Sequence, residues 1–255
     1  MDRKICKYEI SNILRNAFWY YGILLLFFIL VVVTTKDNSL EINEAVNFGT
    51  IIFLASQPII RLKSDFYFSK INNISRKNFI KGTIESGILI SLILSAIDIT
   101  LIKIFSLFSN SLNMYEAFFQ NFIGGTFLNI IKNLVASWIY ISLVYFLIYV
   151  VFLLFSTVYL KLSKGIKKIW VIGLVVVIVA ITNFIEVLAS STGYGITSIE
   201  GILFLIILCG VLTILEFLIS KNLQESVTYS NKTKTIFTLS LILIYVVSFV
   251  GFFHY

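Results

Sequence analysis

Long apolar runs separated by charged stretches dominate this chain, and the runs predict membrane-spanning helices. A helix needs about 20 apolar residues to cross the hydrocarbon core of a bilayer. Seven runs have roughly that length, and the pattern therefore predicts an all-α, polytopic transmembrane helical bundle of six to seven spans. The runs are residues 17–34, 45–62, 83–107, 134–159, 169–190, 201–220 and 236–253, of which the last is a possible extra span.

Two further segments show helical periodicity outside these runs. In residues 1–16 and the start of the first run, basic residues lie on other faces than the apolar residues that recur at helical spacing, which are Ile10, Ile13, Leu14, Ala17 and Phe18. This pattern predicts an N-terminal amphipathic helix that lies on the cytoplasmic membrane surface before the first span. In residues 109–133, aromatic residues recur at the same spacing and predict a surface or re-entrant helix at the outer face. An N-terminal extension of the fourth span explains that second pattern equally well.

Composition and charge support a membrane location and indicate the orientation. The chain is 58% hydrophobic and only 13% charged, with a mean hydropathy of +0.96, whereas soluble domains have about 25% charged residues. Seventeen of its 20 basic residues lie in the segments on the same side as the N-terminus. The excess of basic residues on one side predicts a multi-pass protein of the cell membrane with a cytoplasmic N-terminus. The net charge of +7 then records orientation and gives no reason to expect nucleic acid as a partner.

The chain lacks the motifs of the common membrane enzymes. A phosphate-binding loop needs Gly followed by Lys and Ser or Thr, and none of the 13 glycines precedes a lysine. The sole histidine, His254, is the penultimate residue, so a zinc-dependent reaction is not expected. We therefore expect no catalytic residues, no metal site and no cofactor in this chain.

The third predicted span carries a stripe of small residues together with a carboxylate. Gly87, Ser91 and Ser95 repeat at every fourth position, and Asp98 falls in the same sector of the helix. Small residues at this spacing allow two helices to approach closely, whereas a carboxylate at this depth is costly unless it has a partner. The stripe is therefore a predicted helix-packing face or translocation path, contacting another span or a second protomer. The alternative is a helix packed only within its own bundle.

The segment 63–82 is rich in basic and aromatic residues and connects the second and third spans. Ser64 or Asp65 is a candidate cap for a short helix, and Ser75 is a candidate N-cap for the helix that continues into the third span. A short helix on the cytoplasmic face is a surface on which a motor protein can act. A basic loop resting on anionic headgroups is the alternative.

This arrangement resembles the membrane subunit of an ATP-binding-cassette exporter of the type with short cytoplasmic loops. The resemblance covers about residues 1–220 by architecture and rests on the stretch Ile74-Ser75-Arg76-Lys77-Asn78-Phe79-Ile80-Lys81-Gly82. In that family the corresponding loop contains a coupling helix, commonly followed by a Leu-Pro-x-Ser-Arg-like stretch, and Ser75 and Arg76 match it. The family's proline is absent here, and its members usually have six spans.

The resemblance implies how the chain works. ATP and Mg would bind a separate ATP-binding-cassette ATPase subunit, and two permease subunits, identical or related, would form a dimer in the bilayer. The substrate would be a hydrophobic molecule or a peptide, such as an antimicrobial peptide, bacteriocin or drug. The source would be a Gram-positive bacterium. The implied ATPase-docking residues are Phe66, Phe68, Ile71, Ser75 and Arg76.

Two other functions remain open on the sequence. The chain is alternatively a non-transporting membrane sensor or immunity protein that binds a hydrophobic peptide or a partner helix. An ion-coupled carrier would use Asp98 and Glu186, but no inverted repeat supports it. Glu85, Glu186 and Glu216 lie near the ends of predicted spans, and each is expected either to have a structural role or to reach the interface with its side chain.

Overall fold

The computed structural model describes residues 3–34, 42–105, 127–162 and 198–220, and all regular structure within these ranges is α-helical. This confirms the all-α prediction for the described part of the chain. The predicted spans 169–190 and 236–253, and residues 109–126 of the outer loop, lie outside it. The helices are α1 (Arg3–Thr34), α2 (Ile42–Ile71), α3 (Arg76–Phe105), α4 (Phe127–Lys161) and α5 (Ser198–Ser220).

Within the described ranges, two segments are long and apolar enough to cross a membrane by length and composition. They are α3, Arg76–Phe105, and the Asn133–Leu160 part of α4. A shorter apolar stretch, Leu205–Ile219, lies in α5. Both long segments bury about half of their most apolar window against other helices, so each has one face for the protein and another for its surroundings.

Helix α1 differs from the prediction of a separate surface helix at 1–16. It runs unbroken from Arg3 to Thr34, because neither proline nor glycine occurs before Gly22 to interrupt it. Phe18, from the predicted apolar face, is 75% exposed. The face that packs against the bundle instead repeats every fourth residue and consists of Ile5, Glu9, Ile13, Ala17 and Tyr21.

The segment 63–82 also differs from its prediction. Helix α2 continues to Ile71, so no separate short helix forms there, and only residues 72–75 join α2 to α3. The turn is a Schellman motif, in which the Ile74 amide donates to the Ser69 carbonyl at 2.9 Å and the Asn73 amide to the Lys70 carbonyl at 3.0 Å. Asn73 has a φ of 52°, a left-handed conformation that asparagine tolerates. Helices α2 and α3 thus form a tight helical hairpin.

The N-cap of α3 is the predicted one. The Ser75 hydroxyl accepts a hydrogen bond from the Asn78 amide at 3.3 Å, and the Phe79 amide donates to the Ser75 carbonyl at 2.9 Å. The first bond satisfies an amide group that the first turn of a helix leaves without a partner, and the second is the first backbone hydrogen bond of the helix. Arg76 is therefore the first residue of α3.

Helix α3 lies at the centre of the bundle and contacts the other four described helices. The predicted stripe of Gly87, Ser91, Ser95 and Asp98 is buried along its whole length. A Cβ at position 87 would lie 2.5 Å from the ring of Tyr149. The stripe therefore packs against α4 of the same chain.

We expect Gly87→Ala to lower the free energy of unfolding by about 1–3 kcal/mol, because the added methyl group overlaps the Tyr149 ring in a packed interior. The matched control is Gly22→Ala, where an added Cβ meets nothing within 4 Å. That control should be neutral or stabilising by up to about 1 kcal/mol, because alanine favours the helix. Thermal unfolding in detergent compares the two, and a Gly87→Ala protein as stable as wild type would contradict the close approach.

Candidate functional site

The buried face of α3 contacts two carboxyl groups that lie on the inside of the bundle. Asp98 is on α3 itself, and Glu9 reaches the helix from α1 beside Ser86. Asp98 follows Ser86 by twelve residues, which corresponds to about 18 Å along the axis. Each carboxyl group forms its own cluster.

Asp98 is completely buried and is held by two phenols. The Tyr21 hydroxyl of α1 donates to Asp98 Oδ1 at 2.6 Å, and the Tyr145 hydroxyl of α4 donates to Oδ2. The Tyr145 hydroxyl also lies 3.1 Å from Asn47 Oδ1 of α2. A buried carboxyl group is tolerated only when such donors replace water. The hydrogen bonds of this cluster connect four helices.

Glu9 is buried against the first turns of α3. The Thr83 hydroxyl donates to Glu9 Oε1 at 2.7 Å, and the Ser86 hydroxyl donates to Oε2. Burial raises the pKa of the Glu9 carboxyl group to about 8, and the nearby Asp65 carboxylate adds to this rise. Glu9 is therefore largely protonated at neutral pH.

An ion pair lies beside Glu9 on α2. Arg61 and Asp65, one turn apart, approach to 3.5 Å, yet Arg61 Nε and Asp65 Oδ1 have no hydrogen-bond partner among the described residues. Burial raises the pKa of the Asp65 carboxyl group, outweighing the opposing effect of Arg61. A small cavity is lined by Glu9, Arg61 and Asp65 together with Gln57 and Tyr149. The cavity therefore places polar groups of α1 and α2 side by side in the interior of the bundle.

The residues predicted to dock an ATPase divide into two groups. Phe68 stacks on Tyr8 of α1 with 3.9 Å between ring centroids, and Phe66 packs edge-on against Phe79 at 5.5 Å. Phe68 therefore holds the hairpin against α1, and Phe66 holds the two helices of the hairpin together. The others are exposed at the end of the hairpin, and they are Ile71, Ser75 and Arg76.

The glutamates near the predicted span ends have different environments. Glu85 is partly exposed and pairs with Lys81 at 3.8 Å, as expected for a side chain near an interface. Glu216 is buried and accepts a hydrogen bond from the Thr157 hydroxyl of α4 at 2.8 Å, so of the two predicted roles it has the structural one and does not reach the interface. Its face of α5 packs against α4, and this contact keeps it from the surface. Glu186 lies outside the described residues.

Sequence reasoning did not identify Glu9 as a site residue, nor did it identify the tyrosines that bind Asp98. A signal for Glu9 exists, since it occupies the same every-fourth-residue stripe as Ile5 and Ile13. A carboxylate on such an apolar stripe indicates a buried partner on another helix. No comparable signal marks Tyr21 or Tyr145 among the 13 tyrosines.

Comparison with protein families, curated proteins and solved structures finds no match for this chain. Within the described ranges, no three His, Cys, Asp or Glu side chains come together as a metal site requires. The hairpin and the two carboxyl clusters are therefore the features of the described helices that bear on function.

The raised pKa of Glu9 predicts a pH-dependent stability. The Glu9 carboxyl group has a pKa of about 8 in the folded chain and an ordinary pKa of 4.5 in the unfolded chain. Between these two pH values the folded chain keeps a proton on Glu9 that the unfolded chain has lost. The free energy of unfolding should thus fall as pH rises through this window, by about 1–4 kcal/mol. The control is Glu9→Gln, which cannot titrate and should show a flatter profile. Parallel unfolding profiles of the two proteins in detergent would rule out a titrating Glu9.

Proposed function

We propose that this chain is a multi-pass membrane subunit of an ATP-driven exporter and that a separate ATP-binding-cassette ATPase acts on its α2–α3 hairpin. The observation that carries the proposal is the hairpin itself. Its two helices are joined by a tight connection of four residues. The side chains around this connection are basic and partly apolar. From there α3 continues into the bundle, where it has its buried face.

The end of the hairpin has the chemistry of a protein-binding surface. Tyr67 is 65% exposed and Ile71 is 64% exposed, and the adjacent Arg76 and Lys77 are exposed cations. Tyrosine and arginine are common among the residues that contribute most to protein interfaces. An anionic cleft on an ATPase subunit is the complementary partner.

Aromatic contacts also join the hairpin to the bundle. The Phe68–Tyr8 stack joins it to α1, and the Phe66–Phe79 contact joins its two helices. Arg61 and Asp65 lie seven and three residues before Phe68 on the same α2 helix and face Glu9. A displacement of the hairpin by ATP binding would therefore alter the contacts around Glu9, as coupling through packed side chains requires.

The remaining parts of the proposal follow from charge and composition. The N-terminus is cytoplasmic because basic residues concentrate on its side. Two permease subunits form the transport path in the cell membrane, and the substrate is a hydrophobic molecule or peptide. The exposed apolar face of α5 meets lipid or the second subunit, and it includes Leu203, Ile207, Val211, Ile214 and Leu218.

One observation favours a second function, a non-transporting sensor or immunity protein. The described helices pack closely, and the cavity beside Glu9 has room for about one water molecule. A chain that only binds a hydrophobic peptide or partner helix needs no wider path. The two functions differ in whether an ATPase binds the hairpin.

Co-purification with the ATPase encoded by a neighbouring reading frame tests the proposal. We expect wild-type chain and ATPase to form a complex with ATP turnover, and Arg76→Glu to weaken binding about tenfold or more, because charge reversal at an interface costs at least about 1.4 kcal/mol. The matched control is Arg15→Glu, which reverses an exposed arginine on α1 and should bind as wild type does.

Two results would contradict the proposal. One is that no ATPase binds the wild-type chain. The other is that Arg76→Glu and Arg15→Glu bind and stimulate the ATPase equally well, because the hairpin would then not be the docking surface. A chain that binds a hydrophobic peptide in the absence of any ATPase would support the sensor or immunity function.

A further inference from the structure

The Tyr145 hydroxyl has more acceptors around it than it has protons. A phenol donates one hydrogen bond and accepts others. Asp98 Oδ2 is in hydrogen-bond contact on one side, and Asn47 Oδ1 lies 3.1 Å away on the other. With Asp98 ionised and Asn47 in this orientation, two acceptors compete for one proton, and Asn47 Nδ2 remains buried without a partner among the described residues.

Two proton arrangements give the Tyr145 proton a single acceptor without moving the heavy atoms of Asp98 or Tyr145, and the first of them also gives Asn47 Nδ2 a partner. In the first, Asp98 is ionised and accepts from Tyr145, while the Asn47 amide turns so that Nδ2 donates to the Tyr145 oxygen; amide oxygen and nitrogen are close in size. In the second, Asp98 carries a proton and donates it to the Tyr145 oxygen. The Tyr145 hydroxyl then donates to Asn47 Oδ1.

We propose that Asp98 is a reversible proton-binding site inside the bundle, and that Tyr145 and Asn47 accommodate both its ionised and its protonated form. Gain of a proton by Asp98 reverses the Tyr145 hydrogen bond and turns the Asn47 amide back, and loss of the proton does the opposite. The ligand is a proton, and no co-reactant is required. The inference does not depend on the docking of an ATPase.

The surroundings of Asp98 suit this role. The groups that face it are Tyr21 of α1, Thr50 and Asn47 of α2, and Tyr145 of α4, and none of these is cationic. On α3 itself, Lys103 lies about 140° around the axis from Asp98 and is exposed. A buried carboxylate without a cationic partner is costly, and a proton is the smallest cation able to neutralise it.

Glu9 has the same kind of surroundings at the other end of the buried face. The Thr83 hydroxyl can donate to Glu9 or to the Phe79 carbonyl at 3.1 Å, and the Ser86 hydroxyl to Glu9 or to the Thr83 carbonyl at 2.8 Å. Rotation of these hydroxyl groups accommodates either form of Glu9. Ser91, which lies between the two clusters on α3, has a buried hydroxyl without a partner in the described part of the chain.

Infrared pH-difference spectra of the full chain in lipid nanodiscs test the proposal directly. Protonated carboxyl groups have a carbonyl stretching band that carboxylates lack. We expect this band to grow on acidification in wild type and to lose one component in Asp98→Asn. Glu85→Gln, which removes an exposed carboxylate from the same helix, should retain the component. Glu9→Gln identifies the separate contribution of Glu9.

Tyr145→Phe gives a second measurement that keeps Asp98 in place. Loss of the phenol removes a hydrogen bond to the ionised carboxylate, and such bonds are stronger than those to neutral groups. The Asp98 component should therefore appear at a pH about one unit higher. The proposal is overturned if wild type and Asp98→Asn give the same spectra at every pH. It is also overturned if the component does not change with pH, or if Tyr145→Phe leaves its midpoint unmoved.

Discussion

A carboxyl group in an apolar interior must be given hydrogen-bond donors, and this requirement organises the described helices. Asp98 has no access to solvent, so donors must come from neighbouring helices. Tyr21 and Tyr145 supply them from α1 and α4, and Asn47 on α2 contacts the second tyrosine. Each helix is thereby held at a particular rotation and height against α3. Apolar packing alone specifies the rotation and height of a helix less strictly, because many rotations bury a similar area of apolar surface.

The same requirement connects the bundle to the hairpin. Glu9 accepts hydrogen bonds from the first turns of α3, while Arg61 and Asp65 reach the same cavity from α2. If the proposed ATPase acts on the exposed end of the hairpin, its force would reach the carboxyl clusters through α2 and α3. A shift of α2 relative to α1 would change the polar contacts around Glu9, and the proton content of the clusters would then change with the movement. Transport and proton binding would then share one helix face.

The sequence predicted local features well and long-range partners poorly. The cap at Ser75 and the buried stripe ending at Asp98 depend on neighbours in sequence, and both predictions agree with the structure. The end of the helix expected after residue 62 did not occur. Helix α2 continues to Ile71, and the residue that terminates it is Asn73 in its left-handed conformation. Tyr145 could not be predicted as the partner of Asp98, because helix rotation in the assembled bundle decides which of many tyrosines reaches it. Spans beyond the described helices remain predictions.

The central claim is that hydrogen bonds to Asp98 determine how α1 packs on α3. A double-mutant cycle with Tyr21→Phe and Asp98→Asn measures this directly through the free energy of unfolding. The account predicts a coupling energy of about 1–3 kcal/mol, the range for a buried hydrogen bond to a carboxyl group. Additive effects of the two substitutions, with no coupling beyond experimental error, would contradict it.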